Sequence, residues 1–350
     1  MRYKLLGKSG LRVSELCLGA MTFGDDWGWG STKEESRNIY DAFVEAGGNF
    51  IDTADLYTNG TSEQFLGEFM ASDRERIVLA TKYTNSAPGT DPNAAGNHRK
   101  NMMQSVEASL KRLNTDYIDL YWLHVWDFTT PVEEVMRAFD DLIRQGKVLY
   151  IGISDAPAWV VSRANTLAEL RGWTQFVGLQ VEYSLIERTC DRELLPMARE
   201  MDLAVTVWSP LAGGLLTGKY AEDSDTTKEE KRLTHPMVAP LVDITERKHT
   251  ITAAVVKVAE TIGKTPAQVA LAWVRQQSGV IIPIIGARRR SQLKDNMACV
   301  EFTLDETHLQ QLNEVSRIEL GFPYDFVANE MVQNFAYAGM RDLIDNHREV

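Results

Sequence analysis

Cysteine and long apolar runs are both scarce in this sequence. Its 350 residues contain three cysteines, and none forms a C-x-x-C pair, so the chain lacks the disulfide framework of a small secreted protein. No stretch reaches the roughly 18 consecutive apolar residues that mark a membrane span. Residues 1–13 also lack the apolar segment of a secretory signal. These absences predict a cytoplasmic protein with no membrane partner.

Positive charge is in deficit. The chain has 37 Lys and Arg against 49 Asp and Glu, a net charge of −12, so its field repels a phosphate backbone and nucleic acid is not an expected partner. The histidines form no H-x-x-x-H or H-E-x-x-H spacing, which predicts no metal site. A hydrophobic content of 44% is typical of a folded protein with a sizeable core.

Eight short runs of β-branched and aromatic residues predict eight β-strands. They cover residues 16–20, 50–54, 77–83, 117–124, 148–154, 176–183, 204–210 and 280–286. Several runs are apolar almost throughout, which is typical of parallel strands buried on both faces. Helical patterns lie between them, among them 101–113 with Asn101 as its N-cap. This alternation predicts an α/β protein, a (β/α)8 TIM barrel that forms a single domain over residues 1–350.

Three segments lie outside this alternation. Residues 1–15 carry two short apolar stretches around a glycine-bearing turn, which predicts an N-terminal hairpin at the bottom of the barrel. The polar segment 221–250 is interpreted either as a mobile flap over the barrel mouth or as a solvated loop without a role. We expect the C-terminal tail, 321–350, to cover the top of the barrel or to mediate contacts in an oligomer.

Four reactive side chains fall at or just after the ends of consecutive predicted strands. Asp52 lies in the second strand and Tyr57 follows it. Lys82 lies near the end of the third strand, and His124 ends the fourth. In a barrel, groups at these positions face one mouth. Each has an ordinary structural explanation, such as a turn cap or a core histidine, but a polar group inside an apolar run needs a partner or a purpose.

The chemistry that these groups allow is proton transfer by a phenol. Tyrosine has an ordinary pKa of about 10. An ammonium about 4 Å from the phenolic oxygen stabilises phenolate by about 4 kcal/mol, or about three pKa units, and burial opposes part of this shift. We therefore predict that Lys82, held by Asp52, tunes Tyr57 toward neutral pH, while His124 orients a substrate oxygen. Such a phenol suits protonation of the alkoxide that forms when hydride adds to a carbonyl, and hydride requires a cofactor.

No G-x-G-x-x-G occurs, so the chain lacks the Rossmann signature for dinucleotides. Another site is indicated near the end of the barrel. Trp208 ends the seventh predicted strand with a flat ring, and Gly213 and Gly214 follow with backbone donors. The arginines at 288–290 follow the eighth strand and lead into a helix near Ser291. They favour NADPH, with NADH allowed, because a 2′-phosphate needs a cation; the alternative is a solvated basic helix start.

Several ordered motifs carry a resemblance to a known family. They are GNFIDTA at 48–54 with Tyr57, TK at 81–82, DYIDLYWLH at 116–124, GIS at 152–154, QVEY at 180–183, WSPL at 208–211 and IGAR at 285–288. Over nearly its whole length the sequence resembles the aldo-keto reductase family, nearest its longer, bacterial or channel-subunit-like branch.

The resemblance implies roles for individual residues. Tyr57 is the general acid, Lys82 and Asp52 tune it, and His124 orients the carbonyl. The nicotinamide stacks on Trp208. By the same resemblance, further residues bind the cofactor: Ser154 and Gln180 at the carboxamide, Met21, Thr22, Ser209, Leu211, Gly213 and Lys219 along its length, and Gly286, Arg288, Gln292 and Asn296 at the adenosine end.

One position departs from the family. Many relatives have asparagine after the serine of the fifth strand, but here Asp155 follows Ser154. An ionised carboxylate only accepts hydrogen bonds, so we leave Asp155 out of the predicted cofactor residues.

The expected partner is a small-molecule carbonyl substrate. Aromatic residues in the mouth loops, Trp27 and Trp126 above all, predict a flat or apolar one such as an aryl aldehyde, a ketone or a sugar. The alternative function is that of a nicotinamide-binding regulatory subunit with little turnover. The four intact reactive residues favour an enzyme.

Overall fold

Eight parallel strands close into a barrel, which confirms the predicted fold class. The computed structural model describes residues 1–87, 89–220 and 245–347. An antiparallel hairpin of β1 (Tyr3–Leu5) and β2 (Arg12–Ser14) precedes the barrel. The barrel strands follow in chain order: β3 (Cys17–Gly19), β4 (Phe50–Asp52), β5 (Val78–Tyr83), β6 (Ile118–Leu123), β7 (Val148–Ser154), β8 (Gly178–Glu182), β9 (Ala204–Trp208) and β10 (Ile281–Gly286). Pairing of β10 with β3 closes the cylinder.

Each predicted run contains one barrel strand, but most strands are shorter than predicted. The run 50–54 shows the reason: β4 ends at Asp52, yet Thr53 and Ala54 are still 0% exposed. The apolar pattern indicates which residues are buried, and burial continues into the first loop residues after the hydrogen bonds between neighbouring strands have ended.

Helices surround the barrel. Those described are α1 (Lys33–Glu45), α2 (Thr61–Phe69), α3 (Arg99–Leu113), α4 (Val132–Arg144), α5 (Ala158–Arg171), α6 (Leu194–Glu200), α7 (Glu246–Ile262), α8 (Pro266–Arg275), α9 (Arg290–Met297), α10 (Glu306–Ser316), α11 (Tyr324–Val327) and α12 (Glu330–Ala336). The predicted N-cap of α3 is wrong. The ring of His98 accepts from the backbone N–H of Asn101 at 3.2 Å, and the Asn101 amide donates to the Gly96 carbonyl instead.

Apolar side chains close the N-terminal end of the barrel. Leu6 and Val13 of the hairpin region are 0% exposed and pack with Phe50 and Trp122 of the barrel interior. A Cβ at Gly152 would lie 2.2 Å from the Trp122 ring, so glycine there leaves room for the indole. The hairpin therefore occupies the bottom of the barrel, as predicted.

The two other flanking segments are described in part. Residues 221–244 of the predicted flap lie outside the described residues, and the rest of that segment enters α7. The described tail forms α11 and α12, with Phe322, Phe326 and Phe335 exposed, and no residue from 321 to 347 lines the cavity at the barrel mouth. Within the described ranges, no helix is long and apolar enough to span a membrane.

Candidate active site

A cavity of about 640 Å³ opens at the C-terminal ends of the barrel strands. Asp52, Tyr57 and His124 line it, and Lys82 lies behind its wall with 0% exposure. All residues predicted to bind a cofactor also line this cavity: Met21, Thr22, Ser154, Gln180, Trp208, Ser209, Leu211, Gly213, Lys219, Gly286, Arg288, Gln292 and Asn296. One continuous space thus brings together groups separated by more than 200 residues along the chain.

Lys82 is the centre of the polar contacts in the wall. Its Nζ donates to the Tyr57 hydroxyl at 3.2 Å, to the Thr53 carbonyl at 2.8 Å and to the Asp52 carboxylate. The other oxygen of Asp52 accepts from Gln180 Nε2 at 3.1 Å. A buried ion pair is stable only when its remaining polar atoms are satisfied, and these contacts meet that condition.

The loop after β4 is held in a conformation that places Tyr57 on the wall. Thr58 and Asn59 have φ angles of 47° and 56°, in the left-handed region that residues other than glycine rarely adopt. The Thr58 hydroxyl donates to the Phe23 carbonyl at 2.7 Å and accepts from the Ser62 N–H at 3.1 Å. These tertiary contacts stabilise the strained turn and so position the phenol.

The pKa of Tyr57 moves opposite to the net direction predicted from the sequence. Burial raises the pKa of the phenol, the Lys82 ammonium lowers it, and the Asp52 carboxylate raises it again, so the pKa lies above its usual value. The prediction gave too little weight to burial and to Asp52. For Lys82, burial lowers the pKa, but Asp52 and Tyr57 together outweigh burial through their charges and hydrogen bonds and raise the pKa above the usual value. The Tyr57 phenol is therefore protonated at neutral pH, and the neighbouring Lys82 stays positively charged.

His124 is neutral in this environment. Burial, and next the Lys82 charge, lower the pKa of the imidazole to about 3. Its ring centroid lies 5.9 Å from that of Tyr57, edge to face. Nδ1 is buried and has no hydrogen-bond partner among the residues described. A neutral imidazole beside the phenol can donate one hydrogen bond to a substrate oxygen without adding charge.

The wall between β7 and β9 fits a nicotinamide carboxamide. Ser154 Oγ is buried and makes no hydrogen bond of good geometry within the described part of the chain, although it lies close enough to the Asp155 carboxylate to lower the pKa of that group. The Trp208 indole offers a flat face, with its Nε1 donating to Asp155 Oδ1 at 3.1 Å. Gln180 Nε2 already donates one hydrogen bond to Asp52, so only its second N–H and its Oε1 are left to contact a ligand.

The opposite end of the cavity fits phosphate and adenosine groups. The loop after β10 is held by Gln292, whose Oε1 accepts from the Arg288 N–H at 3.0 Å, and by Asn296, whose Nδ2 donates to the Gly286 carbonyl at 3.3 Å. The helix α9 begins at Arg290, one residue before the predicted start, and presents its N-terminus beside the arginines. Backbone N–H groups and guanidinium groups together favour an anion.

The two tryptophans predicted to contact substrate have different positions. Trp27 packs edge to face on Tyr57, with centroids 6.4 Å apart, and on Trp29 at 5.9 Å. Trp126 is 7% exposed and belongs to the apolar core, and neither Trp126 nor Trp27 is among the residues that line the cavity, so their contact with substrate stays a prediction. The sequence showed that Trp126 follows His124 closely but not that the chain turns inward there.

Several residues of the cavity wall were not among the predicted site residues, and two of them bear on the chemistry. Trp29 lies in the same loop as Trp27 and lines the cavity, whereas Asp155 was set aside because it cannot donate a hydrogen bond. Its place immediately after Ser154 at the end of β7 was the available signal.

The fold and the site together define a class of barrel oxidoreductase. The family model for the aldo/keto reductase family matches residues 15–317, and the chain belongs to that family. It is 40% identical over 338 residues to a norsolorinic acid reductase of Emericella nidulans, covering 93% of this chain and 84% of the relative. It is also 40% identical over 332 residues to an aryl-alcohol dehydrogenase [NADP(+)] of Phanerodontia chrysosporium, covering 90% and 86%. A putative aryl-alcohol dehydrogenase of Saccharomyces cerevisiae is 37% identical over 342 residues, covering 94% and 90%.

Proposed function

We propose that the protein is an NADPH-dependent reductase of aldehydes or ketones, with the reverse alcohol oxidation at the same site. Membership of the family supports carbonyl reduction with a nicotinamide cofactor. The single observation that carries the residue roles is the 3.2 Å contact between the Tyr57 hydroxyl and Lys82 Nζ at the cavity wall. It pairs a proton donor with a cation that stabilises the donor after the proton has left.

The proton is delivered by this chain's own residues. Trp208 and Ser154 would hold the nicotinamide of a bound cofactor, which would supply hydride to the carbonyl carbon while the electron pair of the C=O bond moves to oxygen. Tyr57 Oη then donates its proton to that oxygen, which completes the alcohol and leaves a phenolate next to Lys82. Asp52 keeps Lys82 charged and oriented, and His124, neutral with its pKa of about 3, orients the carbonyl.

The arginines after β10 are the basis for proposing NADPH over NADH. Arg288 lines the cavity where the adenosine end would lie, and a guanidinium recognises a phosphate through charge-assisted hydrogen bonds. The matched relative of Phanerodontia chrysosporium carries NADP(+) in its name.

For the substrate we propose an aromatic carbonyl compound. Trp27 and Trp29 form an aromatic edge beside Tyr57, so a planar ring can pack there while its carbonyl reaches the phenol. Two of the relatives are named for aryl-alcohol chemistry.

The test follows the absorbance of reduced nicotinamide with both cofactors and a panel of aryl, alkyl and charged carbonyl compounds. We expect turnover with NADPH and a preference for aryl aldehydes or ketones. Trp27→Leu should lower kcat/KM for aryl substrates more than for short alkyl aldehydes. A preference for small charged carbonyls would contradict the substrate class. Tight cofactor binding without turnover on any compound would favour the regulatory-subunit alternative.

A further inference from the structure

We infer that Asp155 makes the cofactor site sensitive to the charge of the nicotinamide, so that the oxidised cofactor binds more tightly relative to the reduced one than it would with a neutral residue at this position. This inference depends on the proposed function, because it assumes that the cavity holds a nicotinamide cofactor.

Asp155 is rigidly placed on the cavity wall. It follows β7 directly and has a φ of 45°, a conformation that Asp tolerates better than most side chains. Its N–H donates to the Gln180 carbonyl at 3.1 Å, and its carbonyl accepts from the Trp126 N–H at 3.4 Å. The backbone is thus tied to two neighbouring segments of the barrel mouth.

The carboxylate is directed toward the ring that the cofactor would stack on. Asp155 Oδ1 accepts from Trp208 Nε1 at 3.1 Å. The Asp155 side chain remains accessible from the cavity although protein surrounds it, and this partial burial raises the pKa of the carboxyl. A ligand on Trp208 would cover this accessible face and remove water from it.

The cations and anions around Asp155 leave its charge without a dedicated counter-ion among the described contacts. Lys82 lowers the pKa of Asp155, but its Nζ is already paired with Asp52. Glu182 at the end of β8 is a second carboxylate near Asp155. The pKa of Glu182 is raised first by burial, then by Glu187 and then by Asp155. Lys248 lowers the pKa of Glu182, so the cation near this second carboxylate acts on Glu182, whereas Lys82 is the one cation that lowers the pKa of Asp155 among the described residues.

A nicotinamide ring carries a positive charge when oxidised and none when reduced. A carboxylate that loses water on ligand binding is stabilised by the cationic ring and is only desolvated by the neutral one. An asparagine in its place would accept the same hydrogen bond from Trp208 without responding to the ring charge. Asp155 therefore pulls the bound equilibrium toward oxidised cofactor and alcohol, the direction of carbonyl reduction.

The experiment measures equilibrium dissociation constants of NADP⁺ and NADPH by calorimetric titration in the absence of carbonyl substrate. We compare the wild type with Asp155→Asn, which keeps the acceptor for Trp208 and removes the charge. The ratio Kd(NADPH)/Kd(NADP⁺) should fall about tenfold in the variant, which is the order expected for one unit charge in a partly solvated site.

Glu182→Gln is the matched control. It removes a negative charge from the same end of the barrel, but Glu182 does not line the cavity, so the ratio should stay within about twofold. An unchanged ratio in Asp155→Asn, or an equal loss of affinity for both cofactor forms, would overturn the inference. If the wild type binds neither form, the proposed function fails instead, and the two failures are distinguishable.

Discussion

At the N-terminal end of the barrel, Leu6 and Val13 exclude water with apolar side chains, whereas at the C-terminal end the chain buries a lysine and an aspartate. The first end is mainly apolar, and its buried carboxylate, Glu15, is paired with Arg275 at 2.6 Å. The second is stable only because each buried polar atom of the pair has a partner. The comparison shows that one fold separates stability from chemistry by placing them at opposite ends of the same strands.

The largest effect should come from the chemical end. Tyr57→Phe removes only the proton donor, so we expect turnover to fall about 10³-fold or more while cofactor affinity stays nearly unchanged. Single-turnover kinetics and a binding titration measure the two quantities. Activity close to that of the wild type would exclude Tyr57 as the general acid.

Substitution of a large side chain at the apolar end should lower the free energy of unfolding. Trp122→Ala leaves a cavity in the barrel interior and should cost about 3 to 5 kcal/mol of unfolding free energy. Leu149→Ala on the adjacent strand β7, where the side chain is 43% exposed, is the control and should change stability little. Denaturant unfolding checks both. Equal losses in the two variants would contradict the closed, apolar end.

Removal of the buried cation should shift the pH profile. The Lys82 charge lowers the pKa of Tyr57 against the effect of burial, so Lys82→Met should raise the apparent pKa of the catalytic group by about one to three units. The pH dependence of kcat/KM measures it, with thermal unfolding to show that the variant is folded. An unchanged pH dependence of kcat/KM would contradict the pairing of Lys82 with Tyr57.

The smallest effect concerns His124 and stability. Its pKa in the folded protein is about 3, below the unfolded value of about 6.5, so the unfolded chain takes up the proton first as pH falls. Stability should therefore decrease below pH 6.5 until the folded pKa is reached, by up to about 2 kcal/mol at pH 5. His124→Gln should remove this part of the pH dependence. Identical stability profiles would show that His124 titrates normally.

The positions of the strands were easier to predict from the sequence than the electrostatics of the site. The eight strands were predictable because a parallel barrel strand is apolar on both faces, and the positions of Asp52, Lys82 and His124 followed from the strand ends. The burial of Trp126 in the core was not predictable, since a loop aromatic gives no sign of whether it faces the mouth or the core. The net pKa shift of Tyr57 was misjudged because desolvation depends on everything packed around the phenol.

The sequence by itself determined the order and spacing of the strands and the kinds of chemical group at their ends, because both are local properties of short segments. Tertiary structure alone decided that Lys82 meets Tyr57 and Asp52, that Gln180 donates to Asp52, and that Asp155 supports Trp208. Those contacts depend on closure of the barrel, which sets distances between residues far apart in the chain, and hydrogen bonds and burial are effective only at such short distances.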